Sequence, residues 1–324
     1  MIRAIFAAAV LLLGAVPAWA QAWLGSQGEV TTSFVFSRQF VDEHDLNGLR
    51  DKNSDIFTNS MLADVTFSVR DNLSVTVAIP IVSSKFVTAG TPRHPTIQDD
   101  GSYHTTATDL RFDLRYNVFN RHNLVITPFI GSVTPSHKYE YFAHAAPGRR
   151  VNELQVGTYV GTTLDGLLPG MFVQGRYGFG IQETFLDISH NRSQFSGEMG
   201  YFATPDIRVF GMVSGQVTHG GVDLSPTARL VWPADKWQNH DRILRENFTT
   251  VGGGVGWTVN DVLDVFGSYT TMVQARNTHV LNRGLLFGAS IRVQKSMLER
   301  GIVNLSAGNR IARCACQKGL ALKR

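Results

Sequence analysis

The 324-residue sequence has only two cysteines, Cys314 and Cys316, both near its C-terminal end. A disulfide framework needs cysteines spread through the fold, so something other than covalent staples holds this chain. Long apolar runs are scarce too. After residue 20 none approaches the ~20 residues that a spanning helix needs, which excludes a helical membrane protein. Charge of one sign is also missing: the formal net charge is +4, and basic residues form no block before the C-terminal tail, so nucleic acid is not an expected partner. The longest turn-free helical pattern is ambiguous, and no cofactor is expected.

The chain has 31 glycines and 20 phenylalanines, and short alternating segments. In "TDLRFDLRY" (108–116) Leu110, Phe112, Leu114 and Tyr116 alternate with Arg111, Asp113 and Arg115. A pleated strand sends the two sets to opposite faces, whereas a helix would scatter the charges around its circumference. Twelve such segments are expected, over 28–40, 58–70, 73–87, 106–119, 124–136, 152–164, 170–185, 193–203, 207–219, 246–259, 262–275 and 279–293. Many run to ten or more residues, where soluble strands usually have ~5 to 6 and a strand tilted across a bilayer needs about 9 to 11.

The joints decide which face meets lipid. Asp71-Asn72, Asn120 to Asn123, Asp165 to Pro169, Thr204-Pro205-Asp206 and Asn260-Asp261 are tight turns of residues that hydrogen-bond their own backbone or preset φ. Between them come mostly longer polar stretches, 41–57, 88–105, 137–151, 186–192 and 220–245, and a short one near 276–278. Strict alternation of short and long joints is what a meander across a membrane produces. The fold class is therefore all-β, a transmembrane antiparallel up-and-down barrel of about twelve strands. Mean hydropathy of −0.04 suits it, because only alternate residues face lipid. Closure follows because lipid offers no partner to an open sheet edge. Phe67, Tyr116, Phe119, Phe172, Tyr201 and Trp257, beside the tight turns, form an expected interfacial girdle.

Residues 1–20, MIRAIFAAAVLLLGAVPAWA, have the pattern of a cleaved secretory signal: Arg3, an apolar stretch, then Ala18-Trp19-Ala20. Residues 21–293 are expected to form the barrel and 294–324 a basic periplasmic tail.

The stretches "TDLRFDLRY", "TPFIGSVTPSHKYEYFAHAAPGRR", "NHDRILRENFTTVGGGVGWTVNDVLDVFGSY" and "ARNTHVLNRGLLFGASIRV" resemble the outer-membrane β-barrel family labelled for the MetA pathway of phenol degradation and its transporter-like relatives. The resemblance covers most of 30–293. It implies a barrel in the outer membrane of a Gram-negative bacterium, with outer-membrane lipids around it and a transport role for small organic solutes. It supplies no catalytic residues. Gly288, Ile291 and Val293 resemble the terminal-strand signal read by the barrel-assembly machinery, with aliphatic residues where aromatics are usual.

The expected site is the lumen wall, where Asp64, Arg111, Asp113, Arg115, Glu153, Arg176, Glu198 and Arg208 fall at interior parity. Such charges brace a barrel or select solutes. With only about seven residues between Gln21 and the first strand, the expected constriction is an external loop folding inward rather than an N-terminal plug. Loop residues His137, His144, His219, Asp223, His240 and Asp241 are of metal-binding type, but loop spacing is not geometry. Two cysteines one apart are too few for a four-coordinate site. The Tyr139, Tyr141 and Trp232, Trp237 clusters could grip an aromatic solute at the mouth. Ser136-His137 and Ser189-His190 are of nucleophile-base type, but strand neighbours point to opposite faces and each pair is expected to diverge. An enzyme is not expected.

Overall fold

The structure, a computed structural model, describes residues 22–52, 54–88 and 96–294. The expected signal segment and the tail with Cys314 and Cys316 lie outside them. Among the described residues fifteen strands form one antiparallel sheet: β1 (Val30–Leu46), β2 (Leu49–Asp51), β3 (Ser54–Arg70), β4 (Leu73–Thr88), β5 (His104–Ala107), β6 (Asp109–Tyr116), β7 (Phe119–Arg121), β8 (Leu124–Pro135), β9 (Glu153–Thr163), β10 (Met171–Gln182), β11 (His190–Phe202), β12 (Ile207–Gly220), β13 (Asn247–Thr258), β14 (Leu263–Arg276) and β15 (His279–Val293). β5, β6 and β7 make one interrupted stave and β2 is a flap on β1, which leaves twelve staves. The last pairs with the first, from Val30 opposite Val293 to His44 opposite His279, and the sheet closes.

Alternation sets the two faces. Phe34, Phe36, Met61, Val65, Val75, Val77, Phe112, Leu114, Ile130, Val156, Val209, Val255, Leu285 and Phe287 are all exposed on the outer wall. Their neighbours Ser33, Ser37, Ser74, Thr127, Ser214, Ser268 and Ser290 are buried inside. Several bulky inward side chains lie flat over a glycine on a neighbouring strand: Phe172 over Gly200, Phe210 over Gly254, Phe266 over Gly288 and Arg208 over Gly256. A β-carbon at any of these would run into the side chain above it, so these glycines are seats for their neighbours.

The tight turns and the chain's two described ends share one rim. Phe67, Tyr116, Phe119, Tyr201 and Trp257 are exposed there as a girdle requires, but Phe172 is 5% exposed and is corrected to an inward residue. Gly170, at φ 85°, ends the turn so that Met171 and Val173 point outward and Phe172 between them points in. At the other rim, stretch 41–57 is not a loop. β1 runs on to Leu46, turns through Asn47 and Gly48 at φ 55° and 92°, and pairs with β2. Asn-Gly is the residue pair that such a turn demands. The 220–245 stretch carries three short helices, α1 (Ala228–Val231), α2 (Ala234–Gln238) and α3 (His240–Ile243).

Candidate functional site: the lumen

The ladders place all eight expected wall residues on the inner face. Asp64 lies opposite Ser33. Arg111, Asp113 and Arg115 lie opposite Ala78, Thr76 and Ser74. Glu153 is opposite Gln182, and Glu198 faces Gln174 and Met212. Arg176 is opposite Tyr159, and Arg208 is opposite Gly256 and over it. Their surroundings differ, however. Arg115 is 5% exposed, donates to Thr76 Oγ1 at 2.7 Å and Thr66 Oγ1 at 3.4 Å, and serves the wall. Arg111 is exposed at an inward position, so its guanidinium faces open bore.

Glu153 is the centre of a bracing network across four staves. Arg192 Nε, Gln155 Nε2 and Gln182 Nε2 all donate to its carboxylate. Arg192 Nη1 reaches Gln216 Oε1 at 3.0 Å, Gln155 Nε2 reaches Gln194 Oε1 at 3.2 Å, and Arg176 Nη2 donates to Gln155 Oε1 at 2.7 Å. A buried carboxylate is tolerated when several donors satisfy it together. Arg192 and the glutamines were not among the expected residues. β11 begins at His190, three residues before the patterned segment, which hid Arg192. The glutamines share the inward parity of the charges on their strands, and that signal was available.

The adjoining arc carries an apolar patch. Phe210, Met212 and Leu286 are buried at inward positions, with Phe266 packed against the first two. The bore thus carries its bracing network along β9 to β12 and an apolar patch among the small polar residues Ser214, Thr250, Ser268, Thr270 and Ser290 on β12 to β15.

Both ends are narrowed. At the tight-turn rim residues 22–29 enter the barrel, which corrects the expectation that the first strand has no plug before it. Ala22, fully buried, joins Val125, Phe129 and Tyr159, with Trp23 packed against them. Thr127 Oγ1 donates to the Ala22 carbonyl at 2.7 Å and the Ala22 N–H to Gln174 Oε1 at 3.4 Å. Gly28 N–H donates to Ser68 O at 2.8 Å and Ser68 N–H to Glu29 O at 2.9 Å, which holds the segment to β3. Trp23 fills the space over Gly161, where a side chain would collide with it.

At the far rim the 136–152 loop does fold inward. Ala145 is 1% exposed against the inward Ile56 and Phe86, and Ser84 Oγ donates to its carbonyl at 2.6 Å. Asp99 accepts from the His144 and Ala145 N–H groups, both at 3.1 Å, and pairs with His144 Nδ1 at 3.1 Å. Burial alone would raise the Asp99 carboxyl, but these bonds outweigh it and hold its pKa below the ordinary value. Arg242 Nε and Nη2 donate to the Arg149 and Arg150 carbonyls at 3.0 and 2.9 Å. Its guanidinium lies 3.6 Å over the Tyr141 ring, and this ties α3 to the loop.

The expected mouth aromatics are committed to this closure. Tyr139 is 4% exposed and donates to Asp109; Trp232 and Trp237 pack on Leu224, Ala228 and Leu244. His219 bonds Ser193, His240 pairs with Asp241, and Asp223 pairs with Arg245 and Arg276. Ser136 and His137 do not diverge: Oγ and Nδ1 are 2.9 Å apart. β8 ends at Pro135, so the strand rule no longer applies to them. His137 Nε2 meets Thr106 Oγ1 at 3.1 Å rather than a carboxylate. Ser189 is exposed and His190 buried, so that pair does diverge.

Gly288 faces inward under the Phe266 ring, while Ile291 is exposed on the outer wall with Val293 at the same parity.

No protein-family model and no curated protein matches the chain. Among solved structures, the COG4313 outer membrane channel from Pseudomonas putida F1 is similar with a TM-score of 0.62 at 10% identity, over 86% of this chain and 100% of that one. The NanC porin (TM-score 0.46, 8% identity, 81% and 100%) and the translocator domain of the autotransporter NalP from Neisseria meningitidis (TM-score 0.45, 11% identity, 83% and 90%) are more distant. At these identities the likeness concerns the fold.

Proposed function

We propose that the protein is an outer-membrane channel that passes small solutes by diffusion through a charged lumen, after export directed by residues 1–20. One observation carries this reading: the sheet closes on itself with apolar side chains outward and a hydrogen-bonded polar network inward. That is the arrangement a bilayer demands of strands. The COG4313 outer membrane channel shares the fold, which supports the reading. Mechanism then lies in bore, wall charge and movement of residues 22–29 and the 136–152 loop, rather than in bond chemistry. The exposed Arg111, with Arg176 and the Glu153 network, supplies the field, and Asp64, Asp113, Arg115, Glu198 and Arg208 complete the wall. The end of β15, with Gly288, Ile291 and Val293, is the segment proposed to be read by the barrel-assembly machinery.

The solutes proposed are small organic compounds, aromatic ones among them. The apolar patch of Phe210, Met212, Phe266 and Leu286 beside the polar network favours a solute with one greasy and one polar side. The test is conductance in planar bilayers combined with uptake into vesicles of a panel of small acids and phenols. Discrete conductance steps and uptake of panel members are expected. A silent, heat-modifiable barrel that admits none of the panel would overturn the channel reading.

A further inference from the structure

The outer wall carries a feature that a lipid-facing surface does not require. One rung of the sheet runs Arg283, Phe40, Phe57, Lys85 across β15, β1, β3 and β4, each residue directly opposite the next. All four point outward. Phe40 shares the parity of the exposed Phe34 and Phe36, and Lys85 is opposite in parity to the inward Ser84 and Phe86.

The rung is continuous. Arg283 lies 4.9 Å over the Phe40 ring, the Phe40 and Phe57 rings are 5.0 Å apart, and Lys85 Nζ sits 5.1 Å over Phe57 and 4.9 Å over Tyr103. Arg38, two residues before Phe40 on β1, is exposed on the same wall between Leu285 and Asn59. None of these three cations forms an ion pair among the described residues. Elsewhere on the outer wall towards this rim, Ile181 on β10, Val217 on β12 and Val273 on β14 are exposed. Asp55 is the next outward position above Phe57, one step farther from the membrane.

Height fixes what the rung meets. From Val30, at the tight-turn rim, ten residues at ~3.3 Å with a ~40° tilt rise about 25 Å, the height of the apolar band. The rung therefore stands where acyl chains give way to headgroups, on the side of the long loops. That side faces the cell exterior when the ends of the barrel lie in the periplasm. Cations on a lipid-facing wall are costly unless an anion meets them there. Three inter-strand steps of ~4.8 Å separate Arg283 from Lys85, about 14 Å, which allows two phosphates on one disaccharide headgroup to be held together.

We propose that this arc, Arg38, Lys85 and Arg283 with Phe40, Phe57 and Tyr103, binds the phosphorylated, multiply acylated glycolipid of the outer leaflet. The cations take the phosphates through charge-assisted hydrogen bonds, and the rings pack on the sugar and the upper acyl carbons. This rests on the outer-membrane reading above.

The test titrates bisphosphorylated lipid A, dephosphorylated lipid A and inorganic phosphate onto the folded full-length protein in detergent, and onto a triple variant, Arg38→Gln, Lys85→Gln, Arg283→Gln. Arg111→Gln, inside the bore, is the control for loss of a cation away from the arc. Heat-modifiability after insertion into vesicles checks that each protein folds. Bisphosphorylated lipid A is expected to bind the parent and the Arg111→Gln control alike, and the triple variant about tenfold more weakly. Equal binding by the triple variant, no preference for the phosphorylated lipid, or equally tight binding of inorganic phosphate overturns the proposal while leaving the channel intact. If the triple variant fails to fold, the three single variants replace it, and undiminished lipid binding by all three likewise overturns the proposal. Failure of the parent itself to enter vesicles removes the membrane reading, and this proposal with it.

Discussion

Two arginines that look alike in "TDLRFDLRY" have different duties. Arg115 is enclosed by Thr66 and Thr76, whereas Arg111 stands open to the bore. Replacing Arg111 by glutamate reverses a charge in the pathway and is expected to shift ion preference towards cations. Unchanged reversal potentials would remove Arg111 from the route. Arg115→Glu instead strands a charge against the wall and is expected to lower folding yield before it alters selectivity. At the far rim, Asp99 gives a pH dependence whose sign follows from its depressed pKa. A carboxyl held below the ordinary 3.8 stabilises the closed loop above that pH, and the contribution disappears as pH falls through the folded value. Asp99→Asn is expected to cost about 1 to 3 kcal/mol at pH 7, with the gap to the parent shrinking below pH ~3.8. Hydrogen exchange over 137–151 at the two pH values measures it, and equal protection in both proteins at pH 7 would show that the contact contributes nothing.

At the scale of strands, period-two patterning placed each of the twelve staves, because the alternation is imposed by two solvents, lipid and water, on one pleat. It lost precision where that imposition ends. Residues 42–55 rise above the bilayer, where lipid no longer sets the outer face, and only Asn47-Gly48 betrays the turn. Arg192 lies outside the patterned segment for the same reason, since β11 starts three residues earlier than its apolar alternation. The Glu153 network was only half visible: parity shows which side chains share the bore, but which of them touch depends on strand stagger, and stagger is a property of the closed sheet. Leu114 tests the alternation directly. It is 43% exposed, lies between Val75 and Ile130 on neighbouring staves, and as arginine is expected to destabilise the barrel by roughly 1 to 2 kcal/mol, between the interfacial and midplane costs, because it stands two residues above Tyr116 of the girdle. Urea titration in lipid vesicles reads this, and an unshifted midpoint would mean that this face does not meet acyl chains.

For the whole molecule, the decisive feature is that a closed wall is not an open pore. Residues 22–29 are anchored at both ends of their length, by Thr127 and Gln174 deep in the bore and by Ser68 at the rim, and they add a layer to an interior that aromatics already crowd. The staves close through β1 and β15 from Val30 onward, so residues 22–27 contribute nothing to the ladder that seals the cylinder. Removing residues 22–27, while keeping Gly28 and Glu29 for their bonds to Ser68, is therefore expected to leave a heat-modifiable barrel with a larger single-channel conductance. A milder version exchanges Trp23 for alanine, which empties the space over Gly161 without shortening the chain, and is expected to give an intermediate increase. If both proteins fold and conduct as the parent does, the resistance lies at the inward 136–152 loop instead. The same measurement on Arg242→Ala, which cuts the tie between α3 and that loop, would then show the increase.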